Sequence, residues 1–315
     1  MNTMINQIRS EVAKVVVGQE KMIDGLLIGL LCEGHILIEG IPGLAKTTTV
    51  KALSQTLGLG FKRVQFTPDL LPSDILGAEV YDPKSNTFRI KQGPIFTNLL
   101  LADEINRAPA KVQSALLEVM AERQVTLGEE SFRLPPPFLV MATQNPIEQE
   151  GVYPLPEAQL DRFMLKIKVG YNTPEEELSI ARRVASGMNE AIRAVLEPQA
   201  LVDLKEAVKK VHIDEPVERY MIDLITASRE GEKFGLPELG RYLQFGASPR
   251  VSIDMFKAVR AVAFLKGKEF VTPSDIASIA KELMRHRLVL SYEAEAEGIT
   301  TDELIEKILK AVPIP

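Results

Sequence analysis

The chain has 315 residues, of which 45% are hydrophobic and 25% charged, proportions typical of a folded globular protein rather than a disordered or fibrous one. Its 37 basic and 43 acidic side chains give a net charge of −6 with no block of consecutive Lys or Arg, so nothing indicates a nucleic-acid or anionic-membrane surface. No apolar run is long enough to span a bilayer, no secretory leader opens the chain and the one cysteine, Cys32, cannot form an internal disulfide, so we expect a cytoplasmic protein.

The first half of the chain alternates strand-like and helix-like segments. Five short apolar runs predict β-strands, several of them apolar on both faces as buried parallel strands must be. These predicted strands cover residues 35–39, 61–66, 98–102, 138–142 and 163–169. Helical patterns lie between them at residues 19–32, 45–57 and 110–122. The alternation predicts an α/β domain in which helices cover both faces of a five-stranded parallel sheet, a three-layer αβα core.

Two segments inside this part, residues 77–90 and 124–134, interrupt the alternation of strands and helices. Each has turn residues between two arms of alternating character, which predicts a β-hairpin. The pattern alone does not distinguish hairpins that act on a partner from hairpins that only decorate the surface.

After residue 171 the strand-like runs end and helix starts follow one another. Thr173, Pro174 and Glu176 make a strong helix start, with an N-cap, a proline at the first helical position and the acidic partner of a capping box. The same chemistry recurs at residues 272–275 and again at 300–303. We therefore expect a domain boundary near residue 171 and an all-helical second domain. The predicted domains are residues 1–171 and 172–315.

A glycine-containing loop follows the first predicted strand and opens a helix, which predicts a phosphate-binding loop. Gly40 and Gly43 let the backbone N–H groups turn towards phosphate oxygens, Lys46 supplies a cation and the Thr47 hydroxyl can bind Mg²⁺. Ala45 departs from the usual glycine, and we expect it to be tolerated as the start of the helix. The alternative is a glycine-rich turn without function. The predicted nucleotide-binding residues here are Gly40, Ile41, Pro42, Gly43, Leu44, Ala45, Lys46, Thr47 and Thr48.

Two adjacent carboxylates follow the third predicted strand. Asp103 is placed to hold Mg²⁺ or its water shell, and Glu104 to polarise the water that attacks the γ-phosphate of ATP. Acidic residues also terminate strands without any catalytic role, so the interpretation depends on the phosphate-binding loop being present in the same domain.

A neutral amide, Asn145, follows the fourth predicted strand and precedes a proline. It can orient the attacking water or detect the γ-phosphate. An Asn before Pro is also a common turn former, and only a position next to the strand that carries Asp103 and Glu104 favours the functional role.

Taken together, these residues resemble the MoxR branch of the AAA+ ATPases, in the clade with a helix-2 insert. The resemblance covers nearly the whole chain, and its combined set of motifs is highly specific. The motifs that carry it are residues 40–47, 101–107, 142–146, 155–163, 247–250 and 286–298.

The resemblance implies roles for residues that spacing alone leaves ambiguous. Arg162 matches the arginine finger, which in such rings reaches the ATP of the neighbouring subunit, and Arg250 matches the sensor-2 arginine of the helical lid. Val17 and Gly18 match the segment that lines the adenine pocket, and Asn145 matches sensor 1. Without the family, both arginines are ordinary partners for salt bridges. The two hairpins match the helix-2 insert and the hairpin before sensor 1, which face the pore in related machines.

The favoured function is an ATPase that binds ATP and Mg²⁺, assembles into a ring, expected to be a hexamer, and remodels partner proteins. The resemblance also implies a partner with a von Willebrand factor A domain and a chaperone-like role. One alternative is a nucleic-acid motor of the same clade, against which the negative charge argues. Another is a nucleotide-gated scaffold that hydrolyses ATP too slowly to do work.

Overall fold

The structure is a computed structural model that describes residues 2–146, 151–187 and 190–315. The strands are β1 (Ile36–Glu39), β2 (Phe61–Gln65), β3 (Gly77–Asp82), β4 (Thr87–Gln92), β5 (Leu99–Asp103), β6 (Gln124–Leu127), β7 (Glu130–Arg133), β8 (Leu139–Gln144), β9 (Leu165–Lys168), β10 (Leu243–Phe245) and β11 (Val289–Leu290). The helices are α1 (Asn2–Ala13), α2 (Glu20–Cys32), α3 (Lys46–Thr56), α4 (Pro72–Leu76), α5 (Ala110–Glu122), α6 (Glu157–Leu160), α7 (Pro174–Ala185), α8 (Pro198–Lys209), α9 (Glu215–Ala227), α10 (Leu239–Tyr242), α11 (Pro249–Leu265), α12 (Pro273–Met284), α13 (Tyr292–Ala296) and α14 (Thr301–Ala311).

Five parallel strands form the central sheet in the order β2-β5-β8-β1-β9, as the alternation of strands and helices predicts. All five residues of β5 and the first five of β8 are buried, because helices cover both faces of the sheet. The predicted strands are confirmed, with ends that differ by one or two residues. The α/β fold class is therefore confirmed.

The parallel arrangement gives the sheet two distinct edges, which we call the carboxyl edge and the amino edge after the strand ends that meet there. Strand β8 lies between β5 and β1. The segments that follow these three strands therefore leave the sheet side by side at the carboxyl edge, whereas the segments that precede them meet at the amino edge.

Both predicted hairpins are present, β3 with β4 and β6 with β7, each pair antiparallel. The first carries Tyr81 opposite Phe88, with ring centroids 5.4 Å apart and both side chains largely exposed. The hairpins approach each other where the Glu79 carboxylate faces the turn residue Gly128, whose φ is +62°.

The part after residue 171 is helical, and the predicted helix starts are confirmed. The Thr173 hydroxyl accepts a hydrogen bond from the backbone N–H of Glu176, and Thr300 caps α14 in the same way. One departure is the antiparallel pair β10 and β11, which makes this part not purely helical. These strands have only three and two residues, too few to show a period in the sequence.

The position of a domain boundary near residue 171 stays a prediction. One hydrophobic cluster contains residues from both sides of it, among them Leu26 of α2 and Val259 of α11. Helix α2 packs against both α8 and α11, and α12 packs against β9. The two parts therefore share apolar packing.

Asp275 at the start of α12 is fully buried and binds two lysines. Its Oδ1 accepts a hydrogen bond from Lys266 Nζ at 2.8 Å, and its Oδ2 accepts from Lys268 Nζ at 2.9 Å and from the Thr272 backbone N–H at 3.0 Å. Burial raises the pKa of Asp275, but these hydrogen bonds outweigh burial and lower it from the usual 3.8 to about 2.

We expect Asp275→Asn to lower the free energy of unfolding at neutral pH by about 2 kcal/mol, because the charge-assisted bonds are lost. The folded pKa is depressed, so the stabilisation by the charge is complete above the unfolded pKa. It disappears as the pH falls from 3.8 towards 2. Urea unfolding of the wild type and of Asp275→Asn should show the difference in their free energies of unfolding decreasing as the pH falls through this range. The control Asp203→Asn, at an exposed site on α8, should change the free energy of unfolding by less than about 0.5 kcal/mol. A difference in the free energy of unfolding that stays constant down to the lowest pH would contradict a stabilising charge on Asp275.

Candidate functional site

The loop between β1 and α3 has the form that a phosphate-binding loop requires. Gly43 has a φ of +87°, and a Cβ at Gly40 would lie 2.9 Å from the Val169 carbonyl oxygen, so both positions suit glycine. Lys46 Nζ donates a hydrogen bond to the Gly40 carbonyl at 2.6 Å, which folds the lysine back over the loop. Burial lowers the pKa of Lys46, and the nearby carboxylates of Asp103 and Glu104 oppose that shift.

The conformation of Ala45 differs from the helical one that the sequence analysis expects. It does not stand inside the first turn as an ordinary helical residue but precedes α3 with a left-handed φ of 53°. A Cβ is unfavourable in that region, which is why glycine is usual there. The alanine therefore carries local backbone strain. Thr47 and Thr48 follow in the first turn of α3, with Thr47 half-buried and Thr48 exposed.

The acidic pair lies at the carboxyl edge, at the end of β5. Asp103 is only 9% exposed, and its Oδ2 accepts a hydrogen bond from Arg63 Nη2 on the neighbouring strand β2 at 2.6 Å. Glu104 has a left-handed φ of 57°, and its Oε2 accepts from Gln65 Nε2 at 2.7 Å and lies 3.3 Å from Arg107 Nε. Both carboxylates are thus held by partners from β2 and from the turn after β5.

Thr143, near the end of β8, joins the two acidic residues. Its hydroxyl donates to Asp103 Oδ1 at 2.6 Å and accepts from the Glu104 backbone N–H at 2.9 Å. The residue is fully buried. Sequence reasoning did not find Thr143 or Arg63, because neither stands in the motif whose residues it orients.

Asn145 lies at the carboxyl edge directly after β8, the strand between the phosphate loop and the acidic pair. It is 8% exposed. Because β8 pairs with β5 in parallel, the condition that favours a functional role over a turn former is met. Lys46, Asp103, Glu104 and Asn145 therefore share one edge of the sheet.

A second group of charged side chains lies at the end of β1, directly before the phosphate loop. Glu39, the last residue of β1, accepts hydrogen bonds from Gln144 Nε2 at 2.9 Å and pairs with Lys166 Nζ at 2.6 Å. Burial raises the pKa of Glu39, but the charge and hydrogen bond of Lys166 together with the Gln144 hydrogen bond and the charge of Lys168 outweigh burial. The pKa therefore lies below its ordinary value. This group ties β1 to both its neighbours, β8 and β9.

The segment predicted to line the adenine pocket packs beside the loop, against the residues that follow β9. The Val17 carbonyl accepts a hydrogen bond from Asn172 Nδ2 at 2.9 Å, and Gln19 Nε2 donates to Asn172 Oδ1 at 2.8 Å. Gly18 has a φ of +69°, and a Cβ there would meet the Glu176 carboxylate at 2.8 Å. Asn172, which the sequence did not single out, therefore holds this segment in place.

The two predicted arginines do not lie with these residues but at the amino edge. Arg162 precedes β9, and its Nη1 donates to the Leu117 carbonyl at 2.5 Å. Arg250 starts α11, with Nη1 3.7 Å from Asp161 Oδ2. Both line one cavity of about 330 Å³, which also contains His35. The four residues of β1, at roughly 3.3 Å each, separate this edge from the phosphate loop by about 13 Å along the strand.

Two further side chains, Ser248 and His35, have hydrogen-bond partners at the amino edge. Ser248 stands at the N-cap of α11 but makes no capping hydrogen bond there; its hydroxyl donates to Asp161 Oδ1 at 3.2 Å. His35 is buried between Met120 and Val140, accepting from the Val140 N–H through Nδ1 and bonding the Met120 carbonyl through Nε2. Burial lowers the pKa of His35 to about 4, so its role is structural.

The residues at the carboxyl edge fit a magnesium–nucleotide complex by the chemistry of their donors. Mg²⁺ in nucleotide sites is held by one or two protein oxygens together with phosphate oxygens and water. Thr47 and Asp103 offer that limited set, and the described residues contain no cluster of three or more His, Cys, Asp or Glu that would form a protein-only metal site. No helix in the described part of the chain is long and apolar enough to cross a membrane.

Comparison with known proteins finds relatives over nearly the whole chain. A family model described as "ATPase family associated with various cellular activities (AAA)" matches residues 35–165, and a model of the AAA lid domain matches residues 240–308. The chain is 46% identical to "Chaperone MoxR1" of Mycobacterium tuberculosis over 305 residues, covering 97% of this chain and 81% of that protein. It is 33% identical to "Protein MoxR" of Paracoccus denitrificans over 319 residues, covering 96% and 93%. A crystal structure from Cytophaga hutchinsonii superposes with a TM-score of 0.94 at 48% identity, covering 100% of this chain and 96% of that one.

We expect Thr143→Val to lower the turnover of ATP roughly ten- to hundredfold, because the substitution removes the hydroxyl that orients both carboxylates while keeping the side-chain volume. Thr143→Ser keeps the hydroxyl and should retain most of the activity. Steady-state phosphate release measures both, and circular dichroism checks that each protein is folded. Equal turnover in the valine variant and the wild type would show that Thr143 has no orienting role.

Proposed function

The chain belongs to the MoxR family of AAA+ ATPases, and from that membership and the divided site we propose that it hydrolyses ATP to ADP and phosphate as a ring and uses the hydrolysis to remodel partner proteins. The observation that carries this proposal is the separation of the predicted site into two halves. The phosphate loop, the acidic pair and Asn145 lie at the carboxyl edge, while Arg162 and Arg250 lie at the amino edge.

The carboxyl edge supplies the groups that bind the nucleotide and activate the attacking water. The N–H groups of residues 43–47 and the start of α3 surround the β- and γ-phosphates, and Lys46 exchanges the Gly40 carbonyl for phosphate oxygen. Thr47 and Asp103 would hold Mg²⁺, which when bound would neutralise charge on the phosphates. Glu104 accepts a hydrogen bond from the attacking water, and Asn145 fixes the position of that water or of the γ-phosphate.

The amino edge supplies the cations that stabilise the transition state of a neighbouring subunit. The strand length of about 13 Å between the two edges is too large for Arg162 or Arg250 to reach the nucleotide of its own subunit by a rotamer change. Head-to-tail association brings the amino edge of one subunit onto the carboxyl edge of the next, and such contacts close into a ring when the rotation allows. In this arrangement Arg162 acts as the arginine finger and Arg250 as sensor 2, both in trans.

The hairpins are the surfaces through which the ring acts on a protein substrate. Val80, Tyr81 and Phe88 of the first hairpin expose between 48% and 65% of their surface, which suits transient contact with an unfolded segment. We place them at the pore of a hexamer. A partner with a von Willebrand factor A domain and a cytoplasmic location are further parts of the proposal that rest on the family resemblance.

We expect Arg162→Ala to lose roughly a thousandfold in turnover, by analogy with other arginine fingers, and to bind ATP nearly as well as the wild type because Arg162 lies outside its own nucleotide site. Turnover per subunit in the wild type should rise with protein concentration as rings assemble. Phosphate release and fluorescent-nucleotide titration measure the two properties, and Arg182→Ala, an exposed arginine on α7, is the matched control. Unchanged turnover in the Arg162→Ala variant would contradict the proposed ring mechanism.

We expect Glu104→Gln to bind ATP and retain it without hydrolysis, because the amide cannot act as a base towards the attacking water. Native mass measurement of this variant with ATP and Mg²⁺ gives the ring size, and affinity capture with it identifies the partner protein. A variant that releases phosphate at the wild-type rate would assign the base to another group.

A further inference from the structure

Three consecutive basic residues between α12 and β11 are buried in the contact between the helical part and the sheet. Arg285, His286 and Arg287 are 7%, 6% and 5% exposed. We call these three residues the lid clamp. Their described hydrogen bonds go to other parts of the molecule than the phosphate loop, and the proposed function gives them no task.

Each residue of the lid clamp binds one backbone carbonyl of the segment that runs into β9. Arg285 Nη1 donates to the Lys166 carbonyl at 2.8 Å, and Arg287 Nη2 donates to the Asp161 carbonyl at 3.1 Å. His286 Nε2 lies 2.8 Å from the Phe163 carbonyl, to which it must donate, since a carbonyl only accepts. Arg162 is therefore flanked by two residues, Asp161 and Phe163, whose carbonyls are held by the lid.

The lid clamp is anchored by carboxylates on both sides of the contact. Arg287 pairs with Asp161 Oδ1 at 2.9 Å and with Asp254 Oδ2 of α11 at 2.6 Å, and Arg285 pairs with Asp302 of α14 at 2.8 Å. Asp161 also faces Arg250 at 3.7 Å. One carboxylate, directly before Arg162 in the chain, thus connects the clamp to both arginines of the amino edge.

This contact is costly to break because its hydrogen-bonded donors are buried; Arg287 Nε and His286 Nδ1 lie in the same contact without a hydrogen bond. Buried guanidinium groups must keep hydrogen-bond partners, and removing a partner from a buried charge is strongly unfavourable. Strand β9 is the last strand in the order of the sheet, so the lid provides hydrogen bonds on the side where another strand would otherwise provide them. A movement of α12 and α14 relative to the core must therefore carry the segment 161–166 with it or break these bonds.

We propose that the lid clamp positions Arg162, so that the placement of the lid on the core sets the geometry of the arginine finger offered to the neighbouring subunit. The proposal rests on the trans role of Arg162 in the proposed function. In this proposal Arg285, His286 and Arg287 are positioning residues, which act through Arg162 and not by touching nucleotide or Mg²⁺. The competing explanation is that they only hold the lid onto the core.

The test uses Arg287→Lys in the full chain. Lysine keeps the positive charge between Asp161 and Asp254, but one ammonium group cannot reproduce the fork of the guanidinium towards two carboxylates and a carbonyl. We expect kcat for ATP to fall roughly ten- to hundredfold, the loss typical of a small misplacement of a catalytic group, with KM for ATP unchanged within about twofold. Arg241→Lys, which alters a half-exposed lid arginine paired with Glu293 and Glu297, is the matched control and should keep the wild-type rate.

Subunit mixing separates a positioning role from loss of folding. Arg287→Lys has an intact carboxyl edge, and Glu104→Gln has an intact amino edge. In mixed rings about a quarter of the interfaces join these two intact halves, and activity should reappear although each variant alone is nearly inactive. Arg162→Ala mixed with Glu104→Gln is the reference for this recovery. Asp161→Asn, at a side chain that is 26% exposed and so more tolerant of change, should behave like Arg287→Lys if the lysine variant fails to fold.

The outcomes distinguish the inference from the function on which it rests. The proposal is supported if ATPase activity recovers both when Arg162→Ala is mixed with Glu104→Gln and when the clamp variant is mixed with Glu104→Gln. Recovery with Arg162→Ala but not with a folded clamp variant would overturn the lid clamp and leave the ring mechanism standing. No recovery with Arg162→Ala would overturn the trans assignment, and the lid clamp with it. A clamp variant with wild-type kcat would also overturn it.

Discussion

The parallel register of β1, β5 and β8 is the constraint on which the whole site depends. Because the three strands run in the same direction and lie side by side, the segments that follow them must emerge together. The phosphate loop, the acidic pair and Asn145 come from distant parts of the sequence and meet for this reason alone. The same constraint places whatever precedes a strand, including Arg162 before β9, at the opposite edge. Sheet geometry thus separates the two halves of the predicted site, and the proposed ring would bring them together.

Charges at the carboxyl edge are neutralised within the protein. Asp103 is paired with Arg63, Glu39 with Lys166, and Lys46 is folded onto the Gly40 carbonyl. Each of these contacts lowers the free energy of a group that would otherwise be buried alone. Nucleotide binding must exchange some of them for phosphate and magnesium contacts. The preformed partners therefore hold these side chains in position before that exchange.

The helical part is bound to the core by two different kinds of contact. Apolar packing of α2 against α8 and α11 is a non-directional hydrophobic contact. The buried residues 285–287 instead donate directional hydrogen bonds to particular backbone carbonyls. Hydrophobic contacts can adjust by small sliding, but buried charged hydrogen bonds hold one geometry. The lid is thus fixed to the segment that carries Arg162 more strictly than to the rest of the core.

The sequence by itself determined the fold class, the order of the five core strands along the chain, the hairpins, the phosphate loop and the acidic pair, because these depend on local periodicity and on short-range spacing. Tertiary structure alone decided the partners of those residues. Arg63, Thr143, Lys166 and Asn172 act across strands or across the chain, and no local pattern marks a residue whose task is to orient another. The left-handed conformation of Ala45 and the short pair β10 and β11 also escaped prediction, since one needs the actual backbone angle and the other is too short to show a period. The grouping of Arg162 with Arg250 at the far edge likewise required the packing of the lid on the sheet.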